Sequence, residues 1–168
     1  MKLQEAKAQF IQAWGTFSSN WGINRTMAQI HALLMISPEA LTTEDIMEEL
    51  NISRGNANMN IRELIGWGLI EKVLKPGDRK EYFWAEKDIW KITTQVAKER
   101  KKRELEPVLK ILDQVSQVEG DKKDKNVKAF LDAVGGIKRI ASNADKTIDT
   151  MVKAEENWFF SSIFKLFR

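Results

Sequence analysis

Between Gly68 and Glu86 a chain otherwise patterned for helix switches to strand. Leu69-Ile70-Glu71-Lys72-Val73-Leu74 and Glu81-Tyr82-Phe83-Trp84 are rich in β-branched and aromatic residues, and Pro76-Gly77-Asp78-Arg79-Lys80 between them is a turn that folds one strand back on the other. The residues just before narrow the choice further. Thr42-Thr43-Glu44-Asp45 is a helix start, with a hydroxyl to bond free amides and two acids at the positive end of the helix dipole. The short helix runs to Leu50, Asn51-Ile52 is a tight connection, and Ser53 caps a second helix whose Ala57, Ile61, Leu64 and Ile65 recur at four- and three-residue steps. Two short helices joined by a tight turn and followed by a hairpin with a basic tip have the order of a winged helix-turn-helix.

The flanks are helical. Leu3, Ala6, Phe10, Ala13, Trp14 and Phe17 mark a first amphipathic helix ending before Asn20-Trp21-Gly22, and a second runs from Asn24 to Ile36, closed by Ser37-Pro38. After Glu86 a long charged helix carries Ile89, Ile92, Val96 and Leu105 to Pro107, which predicts a kink or a new first turn. The apolar face continues to Gly120, a charged connection follows, and a last helix runs from Asn126 to Lys153 with Gly135-Gly136 as a candidate break. The predicted fold class is mainly α with a small β-hairpin wing. It divides into N-terminal helices over 1–38, the winged module over 39–86, and a long helix with C-terminal dimerisation helices over 87–168, within one compact domain.

The chemistry of the second short helix suits a DNA major groove, where forked and amide side chains read base edges. Ser53, Arg54, Asn56, Asn58, Asn60 and Arg62 are the candidate readers, with Asn56 and Asn60 sharing a face distinct from that of Ala57, Ile61 and Leu64. Arg79 and Lys80 on the turn would reach the minor groove or flanking phosphates, positioning more than specifying. Net charge is +3, yet the surplus lies outside this module. From Thr42 to Ala85 the bases are Arg54, Arg62, Lys72, Lys75, Arg79 and Lys80, against eight acids. Binding must therefore rest on a few well-placed cations.

Other classes are poorly supported. With no cysteine and one histidine, His31, there is no disulfide framework, thiolate nucleophile or zinc ligand set, and no catalytic triad or nucleotide-binding glycine loop is present. No cofactor and no enzymatic activity are expected. His31 reads as a packed helix residue. No segment approaches the roughly 18 uncharged apolar residues of a membrane span, so a cytoplasmic, nucleoid-associated protein is expected.

These residues carry a family resemblance. Ser53-Arg54-Gly55-Asn56, Met59-Asn60-Ile61-Arg62-Glu63-Leu64, Trp67-Gly68-Leu69-Ile70 and Pro76-Gly77-Asp78-Arg79-Lys80, with Ala85-Glu86, Trp90 and Arg103-Glu104-Leu105-Glu106-Pro107 after them, resemble the GbsR-type branch of the MarR winged-helix regulators. The likeness is tight over 42–107 and one of character alone over 120–168. It implies a prokaryotic homodimer that represses from a pseudo-palindromic operator, with dimer contacts from the N- and C-terminal helices. Choline-type effectors are known in that branch, which implies a small-molecule effector as a further partner.

A quaternary ammonium needs aromatic faces, for which Trp14, Trp21, Trp84 and Trp90 are candidates, although aromatics at helical spacing are more often core packing than a cage. Phe10, Phe17, Trp158, Phe159, Ile163 and Phe167 are candidate dimer contacts, since the last segment is too aromatic to stay in water. Two competing readings remain. The net-negative module would also suit a protein-interaction adaptor, and the aromatic C-terminus with Lys165 and Arg168 would suit a membrane surface, though its lack of a broad polar face favours burial between subunits.

Overall fold

The computed structural model describes residues 1–120 and 123–166, with side chains described through Ala154. It forms two compact units, Met1–Ile92 and Thr93–Arg168. The division falls within a helix, later than the boundary expected at 86.

The first unit is built around α2 (Arg25–Ile36), which touches α1 (Leu3–Asn20), α3 (Thr43–Leu50), α4 (Arg54–Gly66) and the sheet. Its sequence is apolar nearly all round, and a helix with no polar face has to be central. Ile30, Ala32 and Leu34 accordingly have 0% exposure. Asn24 caps its start, accepting from the Met27 amide at 3.0 Å. Gly15 lets α1 come close, because a Cβ there would stand 2.7 Å from Gln29 Cγ.

A capping box sets the start of α3. Thr42 Oγ1 accepts from the Asp45 amide at 3.2 Å, and Asp45 Oδ2 accepts from the Thr42 amide at 2.8 Å. The helix ends on Asn51, the one non-glycine residue with positive φ (50°) among the described residues, and Ser53 then caps α4 through the Asn56 amide at 3.3 Å. Asparagine tolerates the left-handed region better than other side chains, so the chain can reverse in so few residues. Thr42→Ala should lower the unfolding free energy by about 1 kcal/mol. Urea denaturation checks this, and an unchanged midpoint would remove the capping box from the account.

Helix α4 closes on Gly68, with φ of 69°, where the Gly68 amide donates to Ile65 O at 2.9 Å and the Leu69 amide to Leu64 O at 3.1 Å. This is the Schellman arrangement that satisfies a helix's last carbonyls. The chain emerges as β2 (Ile70–Val73) and returns as β3 (Tyr82–Ala85), antiparallel, with Ile70 opposite Ala85 and Val73 opposite Tyr82. A two-residue strand, β1 (Leu41–Thr42), pairs with the other edge of β3, so the sheet order is β1-β3-β2. The hairpin is legible in the sequence, whereas this third strand is too short to show a pattern. Along β3, Phe83 and Ala85 are buried while Tyr82 and Trp84 face outward, half-buried.

Lys87 ties the sheet's exit to the central helix. Its Nζ donates to Leu34 O and, at 2.8 Å, to Ser37 O, and lies 4.0 Å from the centre of the Trp84 ring. A cation thus meets the carbonyls that α2 cannot satisfy internally. Burial pushes the Lys87 pKa down, against a smaller upward pull from Glu86.

Helix α5 (Ile89–Arg100), which begins in the first unit, continues in the second as a π-helical turn, Lys101–Leu105, and then as α6 (Glu106–Val115). Pro107 stands in the first turn of α6, where its missing N–H costs least, and the wider turn ahead of it accommodates the ring. Helix α7 (Lys125–Leu166) runs unbroken through Gly135-Gly136, correcting the expected break. Val134 and Ala141 flank the pair and pack with Leu112, Leu109 and Leu105, and this burial offsets the roughly 1 kcal/mol that each glycine costs a helix. Lys101 bonds both Asp149 and, at 3.2 Å, Asp145, one turn apart on α7. Among the described residues no helix is long and apolar enough to cross a membrane.

Candidate nucleic-acid interface

Helix α4 is anchored by Ala57, Ile61 and Leu64, all buried, which turns Ser53, Arg54, Gly55, Met59 and Arg62 to the outside. Asn58 is half-buried at the edge of that face. Its first turn is open. A Cβ at Gly55 would meet nothing within 4 Å, so the backbone of this turn is sterically accessible at the positive end of the helix dipole.

Arg54 is not loose. Its Nη2 lies 2.8 Å from Glu44 Oε1, in the first turn of α3. The Glu44 carboxyl is held below its ordinary pKa by its own backbone N–H at the helix start, then by Arg54, with Lys80 adding a smaller pull. Lys80 and Lys75 act likewise on Asp45, whose pKa is lowered first by its bonds from Thr42. The acids of α3 therefore neutralise part of the module's basic set, which puts geometry behind the net-negative count.

The asparagines divide. Asn60 is only 3% exposed, and its Nδ2 donates to Asn56 O at 2.9 Å and to Asn56 Oδ1 at 2.7 Å. It cannot reach a base edge, which corrects its expected role as a reader. The four-residue spacing to Asn56 does put the two side chains together, but the pair straddles the border of the packed face, with Asn56 half-buried. Met59 was missed: at 60% exposed it stands between Gly55 and Arg62 on the outer face, an apolar contact of the kind that meets a thymine methyl. Its position three residues before Arg62 was the available signal.

The wing is pinned by its own residues. The Asp78 amide donates to Lys75 O at 3.1 Å across Pro76 and Gly77, whose φ of 80° suits the third place of a type II turn. Asp78 accepts from the Lys80 amide at 2.9 Å and from the Tyr82 hydroxyl at 2.7 Å, and these bonds, the Lys80 amide first, hold its pKa down. Lys75 Nζ caps the Tyr82 ring at 4.0 Å, and Lys72 pairs with Glu81 across the strands. Arg79 and Lys80 are exposed on this fixed turn.

The expected effector set is distributed over three elements. Trp14 and Trp21 belong to a ladder along α1 and the residue that follows it, Phe10-Trp14-Phe17-Trp21, with successive ring centres 5.8, 6.1 and 6.1 Å apart. Trp90 is on α5 and half exposed. Trp84 lines a hollow of about 310 Å³ with Gly68, Leu69, Ile70, Glu71 and Glu86. Of the candidate dimer contacts, Phe10 is half-buried and Phe17 is 56% exposed. The side chains of Trp158, Phe159 and Ile163 and the whole of Phe167 lie outside the described residues.

Comparison with known proteins bears on this geometry. Residues 21–81 match the model of the MarR family. The chain is similar to the HTH-type transcriptional regulator MmpR5 of Mycobacterium tuberculosis, 30% identical over 76 residues that cover 45% of this chain and 46% of that protein. It is also similar to the HTH-type transcriptional repressor GbsR of Bacillus subtilis, 24% identical over 104 residues, 62% of this chain and 57% of that one. The chain thus spans about half the length of the curated relatives it matches. A crystal structure of a transcriptional regulator shares the fold, with a TM-score of 0.57 at 17% identity over 86% of this chain and 99% of that one. Over residues 21–81, therefore, this chain is similar to proteins of the MarR family.

Proposed function

We propose that the protein is a sequence-specific, DNA-binding transcriptional regulator of the GbsR type, a dimeric repressor of a pseudo-palindromic operator in the cytoplasm. One observation carries the reading. The capped, outward face of α4 and the pinned basic wing belong to one unit, and each is held rigid by internal hydrogen bonds. A single module offers few free cations, so symmetric duplication on two half-sites supplies the affinity that one lacks. The partly exposed aromatic ladder Phe10-Trp14-Phe17-Trp21 and the aromatic residues Trp158, Phe159 and Phe167, with Ile163, near the end of the sequence are the proposed dimer contacts. An organic cation is the effector class that Trp84, Glu71 and Glu86 around their hollow would suit.

Titration of the purified protein against labelled duplex from upstream of its own gene tests the reading. Arg54→Ala should weaken specific binding by about 1–3 kcal/mol. Arg79→Ala should weaken all sequences alike and lower the salt slope by about one unit. Wild-type affinity in both variants would refute the assignment.

A further inference from the structure

The hydrogen-bonding pattern that Asn56 can offer a ligand is decided by a neighbour within its own helix. Asn60 lies one turn on, buried, and one atom of its side-chain amide is 2.9 Å from the Asn56 backbone oxygen and 2.7 Å from a side-chain atom of the same residue. A backbone carbonyl can only accept, so that Asn60 atom is the NH₂ group. An NH₂ group can only donate, so the atom it meets on Asn56 is the oxygen, Oδ1. The orientation of the Asn56 amide follows from chemistry alone. Its acceptor is turned to Asn60, and the opposite corner, Nδ2 with two hydrogens, is what remains for a partner.

We infer that Asn56 reads base edges chiefly through its NH₂ group, set by Asn60 as a positioning residue, and that it prefers guanine or thymine to adenine and cytosine. This rests on the DNA-binding reading above. An unconstrained asparagine pairs with adenine by accepting from N6 and donating to N7, which needs both ends of its amide. Oδ1 keeps a second lone pair but is held 2.7 Å from Asn60 Nδ2, so the paired approach to adenine is weakened; the NH₂ can donate to adenine N7 only with the N6 donor alongside it, and at cytosine it meets the N4 donor alone. Guanine offers two acceptors, N7 and O6, side by side, and thymine offers O4. Asn56 is the third residue of α4, in the N-terminal turn that meets bases in helix-turn-helix complexes.

Binding sites selected from a randomised duplex pool by the full-length protein, by Asn56→Ala and by Asn60→Leu test this. The wild type should enrich guanine or thymine at a half-site position whose preference Asn56→Ala flattens, and adenine placed there should weaken binding at least about fivefold. Asn60→Leu keeps the buried volume, removes the constraint and should shift that one position toward adenine. A merely structural role for Asn60 would weaken every site without changing any base preference. A measurement on the wild type alone guards against a variant that fails to fold: 7-deazaguanine at a selected guanine, or 4-thiothymine at a selected thymine, should lower its affinity several-fold. Adenine at the Asn56-dependent position, no such position, an unchanged profile in a folded Asn60→Leu, or indifference of the wild type to the base analogues would overturn the inference. Failure of the wild type to enrich any sequence would instead bring down the regulatory reading beneath it.

Discussion

Leu34→Ala is expected to lower the stability of the first unit by about 2–5 kcal/mol. Leu34 is fully buried in α2, the helix that α1, α3, α4 and β3 all touch, so the lost side chain leaves a space walled by several elements. Collapse into it would have to move more than one of them, which is why the upper part of the range applies. Much of the total stability of a domain this size is at stake. The Leu34 carbonyl also accepts from Lys87, so any shift of this helix end disturbs the bond that joins it to the sheet. Urea unfolding followed by tryptophan fluorescence measures the loss. A change under about 1 kcal/mol would mean that α2 is not the centre of the unit.

Acidification from pH 7 to 5 should destabilise the protein by about 2 kcal/mol through His31 alone, out of about 3 kcal/mol available to that residue at lower pH. His31 is buried on α2 and its Nε2 has no partner. Burial, with the Lys87 charge adding to it, pushes its pKa from 6.5 down to about 4. Between those values the unfolded chain binds a proton that the folded chain refuses, so stability is fully present above about 6.5 and falls as the pH drops toward 4. Glu44, Asp45 and Glu86 also lose stabilising charge on acidification, since their pKa values are lowered. Their share comes at lower pH, where free carboxylates begin to protonate, and leaves the interval from 7 to 5 to the single histidine. His31→Leu should flatten stability across that interval. Parallel curves for the two proteins would show that His31 is charged, or exposed, in the fold.

Most of the first unit was legible because its boundaries are written in local chemistry. Asn24, Thr42 and Ser53 cap the helices they were expected to cap or begin, and Gly68 closes α4 in the left-handed conformation expected of it. The wing was readable from Pro76-Gly77 between two β-rich runs. What escaped depends on partners far apart in the chain or on which way a polar residue turns. The strand β1 exists because β3 is there to pair with it, and Glu44 meets Arg54 only after the helix-turn-helix has folded. Asn60 carries the same side chain as Asn56 and Asn58, and helical spacing placed it correctly beside Asn56. Nothing local says that one member of the pair is buried. In the second unit the glycine pair suggested a break that packing against α6 overrides, while the proline did mark the irregular turn before α6.

The ion pair between Arg54 and Glu44 bears on how such a protein would search a genome. Random duplex offers mainly phosphate, and a guanidinium already matched by a carboxylate gains little by moving to it, so fewer counterions are released and residence on the wrong sequence is short. A guanine at the right place offers two acceptors in the fork geometry of arginine, an exchange that phosphate alone cannot match. Replacing Glu44 with glutamine would then bind all DNA more tightly and its own site less selectively, trading fidelity for grip.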